Sequence, residues 1–180
     1  MIGRRDSLFS FPDPVNESAA RTVAAGVLVM AIVALALRQP WMLVPLTFGF
    51  WARVLTGPTL SPLGQLATRV VVPGLHLPWR PTPGPPKRFA QGIGAALTTC
   101  AVILWAVVGW VPAACALGLL AAAAFLEAAF GLCLGCRVFS LLMRLGVVPE
   151  DVCQECADLS RDRRRLAAAG GPAAQAGTDG

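Results

Sequence analysis

The sequence predicts an all-α integral membrane protein: four transmembrane helices arranged as two hairpins, with an amphipathic helix lying at the membrane interface between them. Three observations carry this prediction. Of 180 residues, 56% are hydrophobic and only 14% are charged, which is too apolar for a soluble domain of that length. The apolar residues fall into four runs close to the roughly 20 residues that a spanning helix needs. The net charge of +5 comes from basic residues gathered in alternate loops, a topology signal in a membrane protein. No basic stripe is interleaved with aromatic residues and Tyr is absent, so the expected surroundings are a lipid bilayer and no nucleic acid. The single His argues against His-based metal or catalytic chemistry.

Residues 1–18 read as a flexible N-terminal segment, in which Pro12 and Pro14 block helix and Asn16 is an N-cap. Residues 19–146 form the four-span membrane domain. Ala19 to Leu37 is the first span, with Arg21 reaching back to the near interface one turn from Glu17. A signal-peptide reading of Ala24 to Leu35 conflicts with the second apolar run that follows almost at once. Arg38-Gln39-Pro40 turns the chain, and Trp41 to Leu55 returns across the bilayer with Trp41 and Trp51 as interfacial anchors.

Gly57, Pro58 and Pro62 prevent Gly57 to Leu75 from spanning. Ser61 instead caps an interfacial helix with Leu63, Leu66 and Val70 on its apolar face. His76 to Arg88 is Pro-rich and is expected to be a surface linker with little regular hydrogen bonding. Phe89 to Trp110 is the third span. Pro112 opens the fourth, which continues past Leu134 and is crowded with small residues that let helices approach closely. Residues 147–160 form a cytoplasmic segment containing cysteines, and residues 161–180 a disordered tail.

Arg4, Arg5 and Arg21 flank the first span on one side, and Arg69, Arg80, Lys87 and Arg88 fill the middle loop. Arg137, Arg144 and the Arg161 to Arg165 cluster follow the last span, whereas the two remaining turns hold only Arg38. Positive-inside counting therefore predicts a protein of the cytoplasmic membrane with both termini and the middle loop in the cytoplasm.

The chemistry-bearing residues gather on that same side. Cys133 and Cys136 form one Cys-x-x-Cys, and Cys153 and Cys156 form another, separated from the first by sixteen residues. That spacing lies in the window of a tetrahedral zinc-thiolate site, and a reducing compartment argues against two structural disulfides. The same pairs also suit a redox or persulfide relay, with Arg137 and Arg144 able to stabilise a thiolate, or they are incidental surface thiols. In a continuous helix Cys133 and Cys136 share a face as i and i+3 neighbours. A break at Gly131 or Gly135 would instead create a helix N-terminus beside them. Cys100 and Cys115 stand singly in apolar helix and are expected to pack as small hydrophobes.

Glu127 is an acid deep in a span, where charges usually face the bundle interior and pair. Counted from the outer ends of their helices, Arg53 and Glu127 lie roughly 18 and 21 Å inward. They form the expected intramembrane charge pair, either locking two helices together or lining the pathway of a small transporter.

Four stretches, PVNESAARTVAA, FWARVLTGPTLSPL, PPKRFAQGIG and FLEAAFGLCLGC, together resemble a bacterial membrane-protein family catalogued as domain of unknown function 4395. They cover roughly residues 11 to 146. The resemblance implies a compact four-span protein ending in a Cys-x-x-Cys, and it supplies no established activity or catalytic residues. It also implies a thioredoxin-like or sulfurtransferase partner, since such proteins are encoded near members of the family. The combined reading is a non-enzymatic or accessory membrane protein whose cysteines bind zinc or exchange sulfur with a soluble thiol protein. A quinone-linked thiol oxidoreductase using Cys133 and Cys136 is the main alternative.

Overall fold

The computed structural model describes residues 14–149. The predicted N-terminal segment up to residue 13, the Cys153 and Cys156 pair and the Arg161 to Arg165 cluster lie outside the described residues. Within them the chain is mostly helical. Strand β1 (Val15–Asn16) leads directly into α1 (Glu17–Leu37), and a 3₁₀ turn (Pro40–Met42) leads into α2 (Leu43–Thr56). Helix α3 (Pro62–Leu66), a π turn (Ala67–Val71) and α4 (Val72–Gly74) form one continuous helical stretch. Strand β2 (Pro81–Thr82), α5 (Gly84–Val107), α6 (Trp110–Phe130) and α7 (Leu134–Arg144) complete the order.

Helices α1, α5 and α6 are long and apolar enough to cross a membrane, whereas α2 has 14 residues. Each long helix buries one stripe of small or branched residues. In α6 the stripe is Ala113, Leu117, Leu120 and Ala124, spaced by four and three residues as one face of a helix requires. Glu127 is the next position on it, which is why its carboxylate points inward. Large apolar side chains cover the outside: Val29, Phe48, Ile103, Leu119 and Phe125 are all at least half exposed, a surface suited to lipid rather than water.

The hairpin arrangement differs from the expected one. α5 packs on α6, but the main partner of α1 is α6 and that of α2 is α5, while α1 and α2 touch little. Gly94 accounts for the α2–α5 seam, because a Cβ there would collide with the Phe50 ring. Cys100 and Cys115 are exposed on the helix surfaces, not buried in the core as expected, because they fall on faces opposite the packed stripes.

The Pro-rich stretch also departs from its reading as a linker. β2 pairs antiparallel with β1, Val15 opposite Thr82 and Asn16 opposite Pro81. The Glu17 N–H donates to the Arg80 carbonyl at 2.9 Å, and Ser18 Oγ donates to the Pro78 carbonyl at 2.7 Å. Asn16 caps α1 as expected, accepting the Ser18 N–H at 3.1 Å. Helix α5 then starts at Gly84, with Pro85 and Pro86 in its first turn. Those positions need no backbone donor, so consecutive prolines open the helix instead of preventing it. Lys87 and Arg88 therefore belong to a helix.

Ser61 caps the stretch after α2, accepting the Gly64 N–H at 3.3 Å. Its predicted apolar face is split: Leu63 packs against the core, whereas Leu66 and Val70 are exposed.

Candidate functional site

All the polar groups of interest lie at one end of the bundle, where α1 and α5 begin and α2 and α6 end. Helix α6 stops at Gly131, which adopts a left-handed conformation (φ 69°) and donates its N–H to the Glu127 and Leu126 carbonyls. The Leu132 N–H follows to the Leu126 carbonyl at 3.1 Å, the reverse turn by which glycine ends helices. Arg21 satisfies the carbonyls left over: its guanidinium donates to Ala128 O at 3.0 Å and Ala129 O at 3.0 Å.

The continuous fourth helix predicted past Leu134 is thus broken, and a new helix begins with Cys133 as its N-cap. Cys133 has an extended backbone (φ −80°, ψ 103°), and its Sγ accepts the Cys136 N–H at 3.4 Å. A sulfur here takes the place of the usual Ser or Asp oxygen. Both cysteines are free thiols, Cys133 buried and Cys136 half-buried. Helix α7 is held onto α5 by the Phe89 and Phe139 rings, 5.6 Å apart, and by Gly135, where a Cβ would come within 2.5 Å of Ala90.

The two thiols are unequal. Cys133 is held below the ordinary thiol value, foremost by the hydrogen bond it accepts from the Cys136 side chain, with the Lys87 ammonium and the Cys136 backbone N–H adding to the effect. Burial and the Glu127 carboxylate work against this shift. Cys136 is pushed far above the ordinary value by donating that bond, and by burial. The partial positive charge of a helix N-terminus favours the same assignment, thiolate on Cys133 and thiol on Cys136.

The predicted charge pair is corrected. Glu127 Oε1 is bound by Lys87 Nζ at 2.6 Å, with both side chains largely buried, and this is the one ion pair among the described residues. Lys87 was hidden by the linker reading; helical spacing from Gly84 would have placed it on the same face as Gln91, Gly94 and Thr98. Arg53, 5% exposed, bonds neutral groups instead. Its Nε donates to Gln91 Oε1 at 2.8 Å and its Nη1 to Ser61 Oγ at 2.9 Å, while its guanidinium carbon sits 4.5 Å from the Phe50 ring centre. Both α2 and α6 reach this end of the bundle, as the depth estimate had it, but Lys87 on α5 stands at Glu127.

Two cavities adjoin the site. One of about 170 Å³ is lined by Asn16, Arg53, Gly64, Lys87 and Gln91 among others. The second, of about 230 Å³, runs between α1, α5 and α6 and has Arg53, Gln91, Glu127 and Cys133 at one end. Among the described residues no three His, Cys, Asp or Glu side chains gather as a metal site. The predicted four-thiolate set depends on Cys153 and Cys156, which lie outside them.

No curated protein and no solved structure matches the chain. The profile of a family described as Domain of unknown function (DUF4395) matches residues 15–144. That span holds every helix described above, the Lys87–Glu127 pair and both cysteines of the α7 N-terminus. With more than two-thirds of its length matched, the chain belongs to the DUF4395 family.

Proposed function

We propose that this is a membrane protein of thiol–disulfide exchange, in which Cys133 attacks and Cys136 resolves. The single observation that carries the reading is the position of Cys133 at the N-cap of α7, with Cys136 three residues on. This places an activated sulfur and a protonated one in contact, the inequality that a two-step exchange requires. The Cys133 thiolate attacks a partner's disulfide, forming a mixed disulfide and releasing one partner thiolate. Cys136 then loses its proton and attacks Cys133 Sγ, closing the Cys133–Cys136 disulfide and freeing the partner as a dithiol. Glu127 acts electrostatically on both thiols and is the carboxylate that takes the Cys136 proton. The partner is a soluble thioredoxin-like or sulfurtransferase protein.

In this reading the chain crosses the membrane four times. The 3₁₀ turn and α2 together rise about 27 Å, near the roughly 30 Å of hydrocarbon in a bilayer. The end bearing the dithiol also carries Arg21, Arg69, Arg80, Arg88, Arg137 and Arg144, while the opposite end has Arg38, so the dithiol end faces the cytoplasm.

The test is trapping. Cys136→Ser should accumulate a mixed disulfide with a thioredoxin-like partner, and Cys133→Ser should abolish exchange. Protein isolated with one equivalent of zinc and all of Cys133, Cys136, Cys153 and Cys156 shielded from alkylation would overturn the proposal in favour of a tetrahedral thiolate site.

A further inference from the structure

We infer that the 230 Å³ cavity between α1, α5 and α6 binds a lipid-soluble quinone, with Cys133 and Arg53 at its head, and that the dithiol passes its electrons to this acceptor. This rests on the exchange reading of the same two cysteines: run in reverse, with a partner's dithiol as the reductant, exchange leaves Cys133 and Cys136 reduced, and the quinone is the oxidant that restores their disulfide.

The cavity has two unlike ends. Ala20 and Val27 on α1, and Leu120 and Glu127 on α6, all line it, so it extends about 10 Å along both helices. Away from the cysteines its walls are apolar, with Val27, Leu97 and Leu120. At the other end stand Arg53, Gln91, Glu127 and Cys133. It is smaller than the roughly 300–1,000 Å³ of sites for drug-sized ligands, so it accommodates a single ring and not a nucleotide. A neutral, apolar ring with polar oxygens matches this division; a charged or sugar-bearing ligand would leave its polar groups against apolar walls. An apolar tail on the ring would leave between helices whose outer faces carry exposed Ile103, Leu119 and Phe125.

Arg53 supplies the second, independent observation. It is 5% exposed, and no carboxylate lies within ion-pair distance of it among the described residues. Gln91 and Ser61 take its Nε and Nη1. A buried guanidinium held by neutral acceptors is a poor device for stability and a good one for an oxygen that becomes negative during a reaction. With Lys87 offsetting Glu127, the site keeps one positive charge in excess, which a Cys133 thiolate or a reduced ring oxygen neutralises.

The step balances as two thiols and a quinone giving a disulfide and a hydroquinone. The Cys133 thiolate adds to the ring, forming a carbon–sulfur bond and placing negative charge on a ring oxygen beside Arg53. Cys136, its proton passing by way of Glu127 to the ring, attacks Cys133 Sγ. The sulfur–sulfur bond forms, the carbon–sulfur bond breaks, and its electron pair stays on the ring. The Cys133 proton, lost earlier to solvent, is returned from solvent to the second ring oxygen.

The experiment uses the full chain, reduced and held in lipid nanodiscs, with a short-tailed benzoquinone and, separately, dithiodipyridine as a small soluble disulfide. The wild type should reduce one quinone per Cys133–Cys136 disulfide formed, and Cys133→Ser should not. Arg53→Met should slow quinone reduction at least tenfold more than it slows the dithiodipyridine reaction. Ala123→Leu, which narrows the cavity from its α6 wall, should act likewise and guards against misfolding of the arginine variant. Quinone reduction at the wild-type rate in both variants overturns the site. Oxidation by dithiodipyridine but not by quinone overturns the acceptor and leaves the exchange reading standing. Oxidation by neither overturns both.

Discussion

A sulfur at an N-cap accepts a backbone N–H as an oxygen would, and as a thiolate it gains more, because the donors of the first helical turn all point at its charge. Cys133 holds that position and Cys136 does not, so the two should titrate apart. Alkylation of Cys133 in a Cys136→Ser background should rise with pH and level off below the ordinary thiol value of 9.0. Cys136 in the reduced wild-type chain, where it donates to Cys133, should react slowly across the neutral range. Mass spectrometry of the labelled peptides against pH reads both rates, and equal profiles would remove the asymmetry that exchange needs. Glu127 and Lys87 belong to the same scale. Removing either leaves a buried charge unpaired and should destabilise by roughly 3–5 kcal/mol. The double variant Lys87→Met with Glu127→Gln should be less damaged than the worse single one in thermal unfolding. The corresponding cycle between Arg53 and Glu127 should show a smaller coupling than the Lys87–Glu127 cycle, since the two share a cavity but form no ion pair.

Between α6 and α7 the decisive residue is Gly131, because ending one helix there makes Cys133 the start of the next. Gly131→Ala would force a Cβ into a left-handed backbone, costing roughly 1–2 kcal/mol, and would bring that atom within 3.1 Å of Glu17 Oε1. The expected result is a partial loss of stability and a rise in the pKa of Cys133 as the break relaxes. Gly131→Asn, which tolerates the left-handed region, should do less harm. Gly135 acts at the other side of the same turn. Gly135→Leu should wedge α7 from Ala90 and slow thiol exchange by tenfold or more while α1, α5 and α6 keep their helical signal in circular dichroism.

At the scale of the whole molecule, the bundle seams run between α1 and α6 and between α5 and α2, so the two ends of the chain's hairpins are tied across each other. The β1–β2 pair and Arg21 on the α6 carbonyls join α1 to the later helices at the dithiol end. On the four-span, positive-inside orientation proposed above, reporters fused after Gln39 and after Gly109 should read as external, and those after Pro83 and after Val147 as internal. An external signal after Pro83 would move the dithiol out of the cytoplasm and remove the proposed partner with it.

The sequence by itself determined the elements that depend on local chemistry. Runs of apolar residues gave the three spanning-length helices, Asn16 and Ser61 gave the caps of α1 and α3, and the order of motifs gave the family. It also placed Cys133 and Cys136 beside a possible break at Gly131, since glycine alone enters the left-handed turn without strain. Which residues meet was another matter. Depth along a helix is readable from the chain, but rotation about the helix axis is set by packing against neighbours, so Arg53 and Glu127 could be placed at similar depths and still not pair. Lys87 took the place of Arg53 because two prolines open α5 instead of blocking it, and that depends on the first turn having tertiary partners. Only the folded bundle decided that Arg53 would be a buried cation with no carboxylate partner among the described residues, facing a cavity shared with the N-cap sulfur.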